Sequence, residues 1–205
     1  MTRTAILVSG NGELLQSVLD AMYFGEMENF ELAAVISTEA DSYAVTRAYN
    51  AGISCFVVEP SDFPTSHSYS VAISNKLKDM DIDLVVDADF SMPLGVVAAR
   101  FKNRVIGIYP ALVPAFDGYD GSPVRGALER GCKLSGATAF VYDDNGYIGP
   151  IISQQAVPVL SGDDETGLLR RITEEASWKL LPKAITMFCN GTLHVHGDRV
   201  IISEK

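Results

Sequence analysis

Short apolar runs alternate along the chain with stretches whose apolar positions return every three or four residues. That alternation predicts the elements. Residues 4–9 (Thr-Ala-Ile-Leu-Val-Ser) are apolar and rich in β-branched side chains, which predicts a buried strand. Gly10, Asn11 and Gly12 follow, and the two glycines permit a tight turn. Leu15, Val18, Leu19 and Met22 then recur at helical spacing. Further strands are expected at residues 31–37, 53–58, 82–88 and 104–109, with helices at 41–51 and 66–80.

The second half changes character. Residues 111–123 are crowded with glycine and proline and predict a long loop, followed by a short helix at 124–130. Strands are expected at 136–142 and 151–159, joined by a turn through Asp143, Asp144, Asn145 and Gly146. Residues 163–188 read as one long helix interrupted at Pro182, with Asn190 and Gly191 as its stop. A small hairpin turning at Gly197 and Asp198 closes the chain.

Helices between short strands imply right-handed crossovers. The expected fold is therefore α/β: a doubly wound, mostly parallel sheet of about seven strands with helices on both faces. The first strand belongs near the centre, because residues 5–8 are apolar on both faces. In such a fold ligands sit where strand ends meet helix starts.

Composition narrows the function. The 205 residues suit a single domain spanning 1–205, and the hydrophobic share of 47% with 20% charged residues is that of an ordinary globule. A net charge of −10 argues against nucleic acid and anionic membrane surfaces as partners. No apolar stretch suits a membrane span, the start does not resemble a signal peptide, and a cytoplasmic location is expected. Cys55, Cys132 and Cys189 have no metal-ligand spacing and read as reduced thiols. His67, His194 and His196 offer no complete ligand set, so no metal is expected.

Three stretches carry a resemblance. Residues 8–12 (Val-Ser-Gly-Asn-Gly), Leu112-Val113-Pro114 and residues 149–158 (Gly-Pro-Ile-Ile-Ser-Gln-Gln-Ala-Val-Pro) are similar to the phosphoribosylglycinamide formyltransferases. The similarity runs from about residue 2 to residue 191 with the same element order. It implies a formyltransferase-type Rossmann-like domain, with 1–110 a nucleotide-binding-like half and 111–205 a folate-side half. It also implies formyl transfer from 10-formyltetrahydrofolate to a glycinamide ribonucleotide, a step of purine synthesis.

The residues that carry this chemistry in the family differ here. Its Asn and His, two apart before a proline, correspond to Gly107 and Tyr109 ahead of Pro110. Its Asp, three residues before a proline, corresponds to Tyr147. A Gly-x-Ser-x-His pattern stands as Gly136, Thr138 and Phe140. An amine attacking a formyl carbon builds a tetrahedral oxyanion, which needs donors to its oxygen and a base for the amine proton. Gly107 has no side chain, and a tyrosine with a pKa near 10 is neither cation nor base at neutral pH. The phosphate-binding turn, Gly-Ser-Asn in the family, reads Gly12, Glu13 and Leu14, and the long helix offers Glu174 and Ser177 in place of a Lys and a Glu. Glu13 would repel a phosphate.

The fourth strand ends with Asp87, Asp89 and Phe90, where the family keeps apolar and glycine residues beside the pterin ring. With Asp117, Asp120, Asp143 and Asp144 on loops at the same edge, an acidic crevice is expected, suited to a cation or an amine. Gly10, Asn11, Pro110, Thr138 and Gly149 complete the expected ligand-binding positions. The residues thus predict a formyltransferase-fold relative without the inherited transfer groups, binding a small molecule or a protein partner. Two alternatives stand beside it: transfer to a different amine from a rebuilt site, or to glycinamide ribonucleotide itself. The cofactor is unknown, and a homodimer is one assembly left open.

Overall fold

The computed structural model describes residues 1–203. One seven-stranded sheet carries the chain, in the order β3-β2-β1-β4-β5-β6-β7. Its strands are β1 (Thr2–Val8), β2 (Phe30–Ser37), β3 (Cys55–Val57), β4 (Leu84–Ala88), β5 (Val105–Tyr109), β6 (Leu134–Tyr142) and β7 (Ile148–Pro158). The pairs among β1 to β5 are parallel, whereas β6 runs antiparallel to both β5 and β7. A separate two-stranded ribbon, β8 (Leu193–His196) and β9 (Arg199–Ile202), forms the expected terminal hairpin.

Alternation of side chains along β1 divides the core in two. Ile6 and Val8 join a cluster with α1 (Glu13–Tyr23), α2 (Tyr43–Asn50), α6 (Glu165–Ile172) and α7 (Trp178–Cys189). Ala5 and Leu7 join the opposite cluster with α3 (Ser66–Asp79) and α4 (Gly95–Arg100). Strand order reverses between β1 and β4, so the loops after these strands diverge there and open the crevice of a doubly wound sheet. The short α5 (Pro123–Glu129) follows the long loop and starts at Ser122, whose hydroxyl accepts from the Arg125 N–H at 3.3 Å.

Two elements differ from the sequence pattern. Helix α4 is only six residues long, and Pro93 and Gly95 at its start disguise it as loop. The long helix does not break at Pro182, which lies inside α7; the irregular turn is a π-helical stretch, Thr173–Ser177. That stretch redirects its backbone groups, and the Glu175 carbonyl accepts from the Gln155 side chain at 2.6 Å.

Candidate functional site at the carboxyl ends of β1, β4 and β5

The turn after β1 is built by close approach. Gly10 and Gly12 have φ of 60° and 66°, and a Cβ on Gly12 would lie 2.8 Å from the Ala44 Cβ. Gly12 therefore both opens α1 and lets α2 pack against the turn. Asn11 and Glu13 are exposed. The Glu13 carboxylate stands in the first turn of α1, where the helix dipole favours it. Arg47 of α2 reaches back, its Nε donating to the Asn11 carbonyl at 2.9 Å and its Nη1 to Gln16 Oε1 at 2.6 Å. The sequence alone does not place this cation at the turn. Hydroxyls tie the neighbouring strand ends: Ser9 Oγ accepts from Thr38 Oγ1 at 2.9 Å and from the Ser91 N–H at 3.1 Å.

At the end of β4, Asp87 turns inward. Its Oδ1 accepts from the Phe90 N–H at 2.8 Å and its Oδ2 from the Tyr142 hydroxyl. Burial pushes the Asp87 carboxyl up to about 6, although both hydrogen bonds oppose that shift. Burial raises the Tyr142 hydroxyl, and the facing carboxylate adds to the effect. Asp89 does not share the face of Asp87: it lies beyond the strand at φ 69° and is exposed, though partial shielding raises its carboxyl too. Phe90 is buried and stacks on Tyr69 of α3 at 6.2 Å.

Gly107, the middle residue of β5, explains the pairing across the sheet. A Cβ there would lie 2.7 Å from Tyr142 Cε2 and 2.9 Å from Phe140 Cζ. The two rings, 4.8 Å apart, cover the space that a side chain at 107 would enter. A glycine inside a strand marks such an approach, and the Phe-Val-Tyr alternation of residues 140–142 was the available signal for its source.

The other expected residues take separate positions. Tyr109 donates its hydroxyl to the Phe116 carbonyl at 2.7 Å, which engages it in the loop after β5. Burial raises its pKa, with Asp117 contributing. Thr138 is fully buried and anchors the same loop: it donates to the Ala111 carbonyl at 2.7 Å and accepts from the Val113 N–H at 3.1 Å and Gln154 Nε2 at 2.9 Å. Pro110 is partly buried at the start of that loop, while Asp117 and Asp120 are exposed further along it.

Tyr147 is 72% exposed and lies on the surface beside Gly95, Ala99 and Arg100. Asp143 sits in its own turn. Against the desolvation that would raise it, hydrogen bonds from the Tyr147 N–H and from Asn145 hold its carboxyl low. Asp144 pairs with Lys102 at 2.5 Å. Gly149 permits the close approach of β7 to β6, since a Cβ would meet the Val141 carbonyl at 2.5 Å. Among the described residues no group of three His, Cys, Asp or Glu side chains is placed to hold a metal ion. Glu174 is exposed and Ser177 buried, both in the π-helical stretch.

The formyl transferase family profile matches residues 2–185. This chain belongs to the formyl transferase family. The phosphoribosylglycinamide formyltransferase of Mycobacterium tuberculosis (strain CDC 1551 / Oshkosh) is 36% identical over 200 residues, covering 97% of this chain and 88% of that protein. The trifunctional purine biosynthetic protein adenosine-3 of Drosophila pseudoobscura pseudoobscura is 36% identical over 93% of this chain, which spans 14% of that longer protein. The crystal structure of glycinamide ribonucleotide transformylase 1 from Symbiobacterium toebii superposes with a TM-score of 0.93 at 37% identity, covering 100% of this chain and 95% of that one.

Within the formyl transferase fold, then, the space above Gly107 is filled by two rings. Tyr109 and Tyr147 diverge to different surroundings, and of the aspartates of the expected crevice Asp87 is in a buried pair, Asp143 in its own turn, Asp144 in a surface ion pair, and Asp89, Asp117 and Asp120 are exposed. No helix among the described residues is long and apolar enough to cross a membrane.

Proposed function

We propose that this formyl transferase family member binds a small molecule at the crevice between the ends of β1, β4 and β5 and does not transfer a formyl group. One observation carries the reading: the space above Gly107 is occupied by the Phe140 and Tyr142 rings, with Tyr142 tied to Asp87. Formyl transfer needs donors aimed at a developing oxyanion and a base within reach of the amine. Here position 107 supplies no donor. The Tyr109 hydroxyl is committed to a backbone carbonyl, and Tyr147 is on the surface. The inward carboxylate, Asp87, is buried against a phenol.

A transfer site rebuilt from Tyr109 and Tyr147 finds less support, because the two side chains do not converge. The test is direct. Purified protein given 10-formyltetrahydrofolate and glycinamide ribonucleotide should show no transfer above a protein-free control. A turnover rate within tenfold of an active relative's, measured side by side, would overturn the proposal.

A further inference from the structure

Helices α1 and α7 lie side by side against the same face of the sheet, and a groove of about 650 Å³ runs between their outer surfaces. Its lining begins at Ser17, past the first turn of α1, and reaches Asn190 at the end of α7. The Asn190 side chain accepts from Asn29 at 2.8 Å, and the Asn29 carbonyl accepts from the Thr2 N–H at the start of β1. The groove therefore extends toward the amino ends of the strands, away from the crevice. Phe24, 71% exposed, and Trp178, 40% exposed, stand open on it. Aromatic rings left open beside a groove are the groups that gain most from being covered.

Charge is divided across this groove. Asp20 and Glu26 lie on the α1 side, and Lys179 and Lys183, one helical turn apart, lie on the α7 side. Asp20 accepts from the Gln16 side chain at 2.7 Å, but among the described residues none of the four is in an ion pair, and all four are exposed. The charges lining the groove thus cancel, on a chain whose net charge is −10. Most approaches of a second copy are repelled, and this one is not. A partner of a single sign would meet like charge on one wall. The same face turned over presents the opposite sign to each wall.

We infer that the α1–α7 groove docks a second copy of this chain, in a two-fold symmetric dimer. An axis lying in the face and running between the two walls sets Asp20 and Glu26 of each copy against Lys179 and Lys183 of the other. The same contact closes Phe24 and Trp178 from water. Docking here needs nothing from the crevice, so it stands whether or not the crevice transfers a formyl group.

Three proteins test this: the wild type, the double variant Asp20→Lys with Glu26→Lys, and the double variant Lys179→Glu with Lys183→Glu. Wild type at about 100 μM should elute with twice the chain mass by light scattering. The emission of Trp178, the single tryptophan, should shift to the blue as concentration rises. Each charge variant alone sets like charge against like and should associate at least about tenfold more weakly. An equimolar mixture of the two should recover the dimer, because the basic face of one meets the acidic face of the other. A wild type that stays monomeric at about 100 μM would overturn the docking face. So would charge variants that dimerise as wild type does, or a mixture that stays monomeric. Should one charge variant fail to fold, the other decides, by dimerising about tenfold more weakly or by matching wild type.

Discussion

Gly107 and Asp87 define the site from opposite sides, and each makes a prediction. Adding one methyl at 107 drives it into two rings whose ends cannot both retreat, since Phe140 is buried and Tyr142 is bonded to Asp87. Gly107→Ala should cost about 1–3 kcal/mol in urea unfolding, the range for overpacking a filled core; a change under about 0.5 kcal/mol would show the rings to be loosely held. Asp87 carries a pH signature. Its carboxyl rises from 3.8 to about 6 on folding, so the native chain binds more protons than the unfolded chain between those values. The stability this contributes is fully present below about pH 4 and lost as pH rises through 6, roughly 3 kcal/mol in all. Asp87→Asn stays neutral and can keep both contacts, accepting from Phe90 and donating to the Tyr142 oxygen. It should flatten the pH 4–7 dependence and be more stable than wild type at pH 7.5. Equal slopes for the two proteins across that range would contradict this account.

Among the elements, the first residues of the loop after β5 are held through the Thr138 hydroxyl. Thr138 satisfies the Ala111 carbonyl and the Val113 N–H where no other side chain except Gln154 reaches that stretch among the hydrogen bonds described. Thr138→Val keeps the shape and removes the bonding, so it should destabilise by about 1–3 kcal/mol and speed amide exchange at Val113 before it does so in β6. Unchanged exchange at Val113 would mean that the loop is held by other contacts. Most elements were legible because their periodicity is strong: the apolar runs of β1 and β4 and the spacing of Leu15, Val18 and Leu19 admit one reading each. Helix α4 was not legible, since six residues beginning at Gly95 are too short to show a period. Pro182 misled in another way. It is the strongest local breaker, yet the irregular turn sits a few residues before it, where the π-helical stretch absorbs the mismatch.

At the scale of the molecule, the sheet and the core that holds Ile6 and Val8 cross the boundary expected near residue 110. β5 pairs with β4 on one side and β6 on the other, and the cluster that holds Ile6 and Val8 also holds Leu181 and Ile185. The chain should therefore unfold in one cooperative transition, and a fragment of residues 1–110 should lack a cooperative melt by circular dichroism. A sharp transition in that fragment would show two independent folding units. The site was less legible than the fold for the same long-range reason. The absence of side-chain chemistry at Gly107 and the exposed glutamate at 13 can be read from single positions. The rings of Phe140 and Tyr142, the burial of Asp87 and the reach of Arg47 depend on strand order and helix placement, which join residues 31 to 55 positions apart.

The filling of the space above Gly107 also constrains the order in which substitutions can accumulate. Any residue larger than glycine at 107 meets both rings, so its effect is conditional on what stands at 140 and 142. Shrinking either ring first opens a void, and enlarging 107 first creates a clash; both single steps lower stability. Mutational neighbours of this sequence that carry an amide at 107 are thus separated from it by a valley, crossed only by concerted change or from a more stable background. A lineage that arrives at this packing is held there by a ratchet, whatever selection later asks of the site.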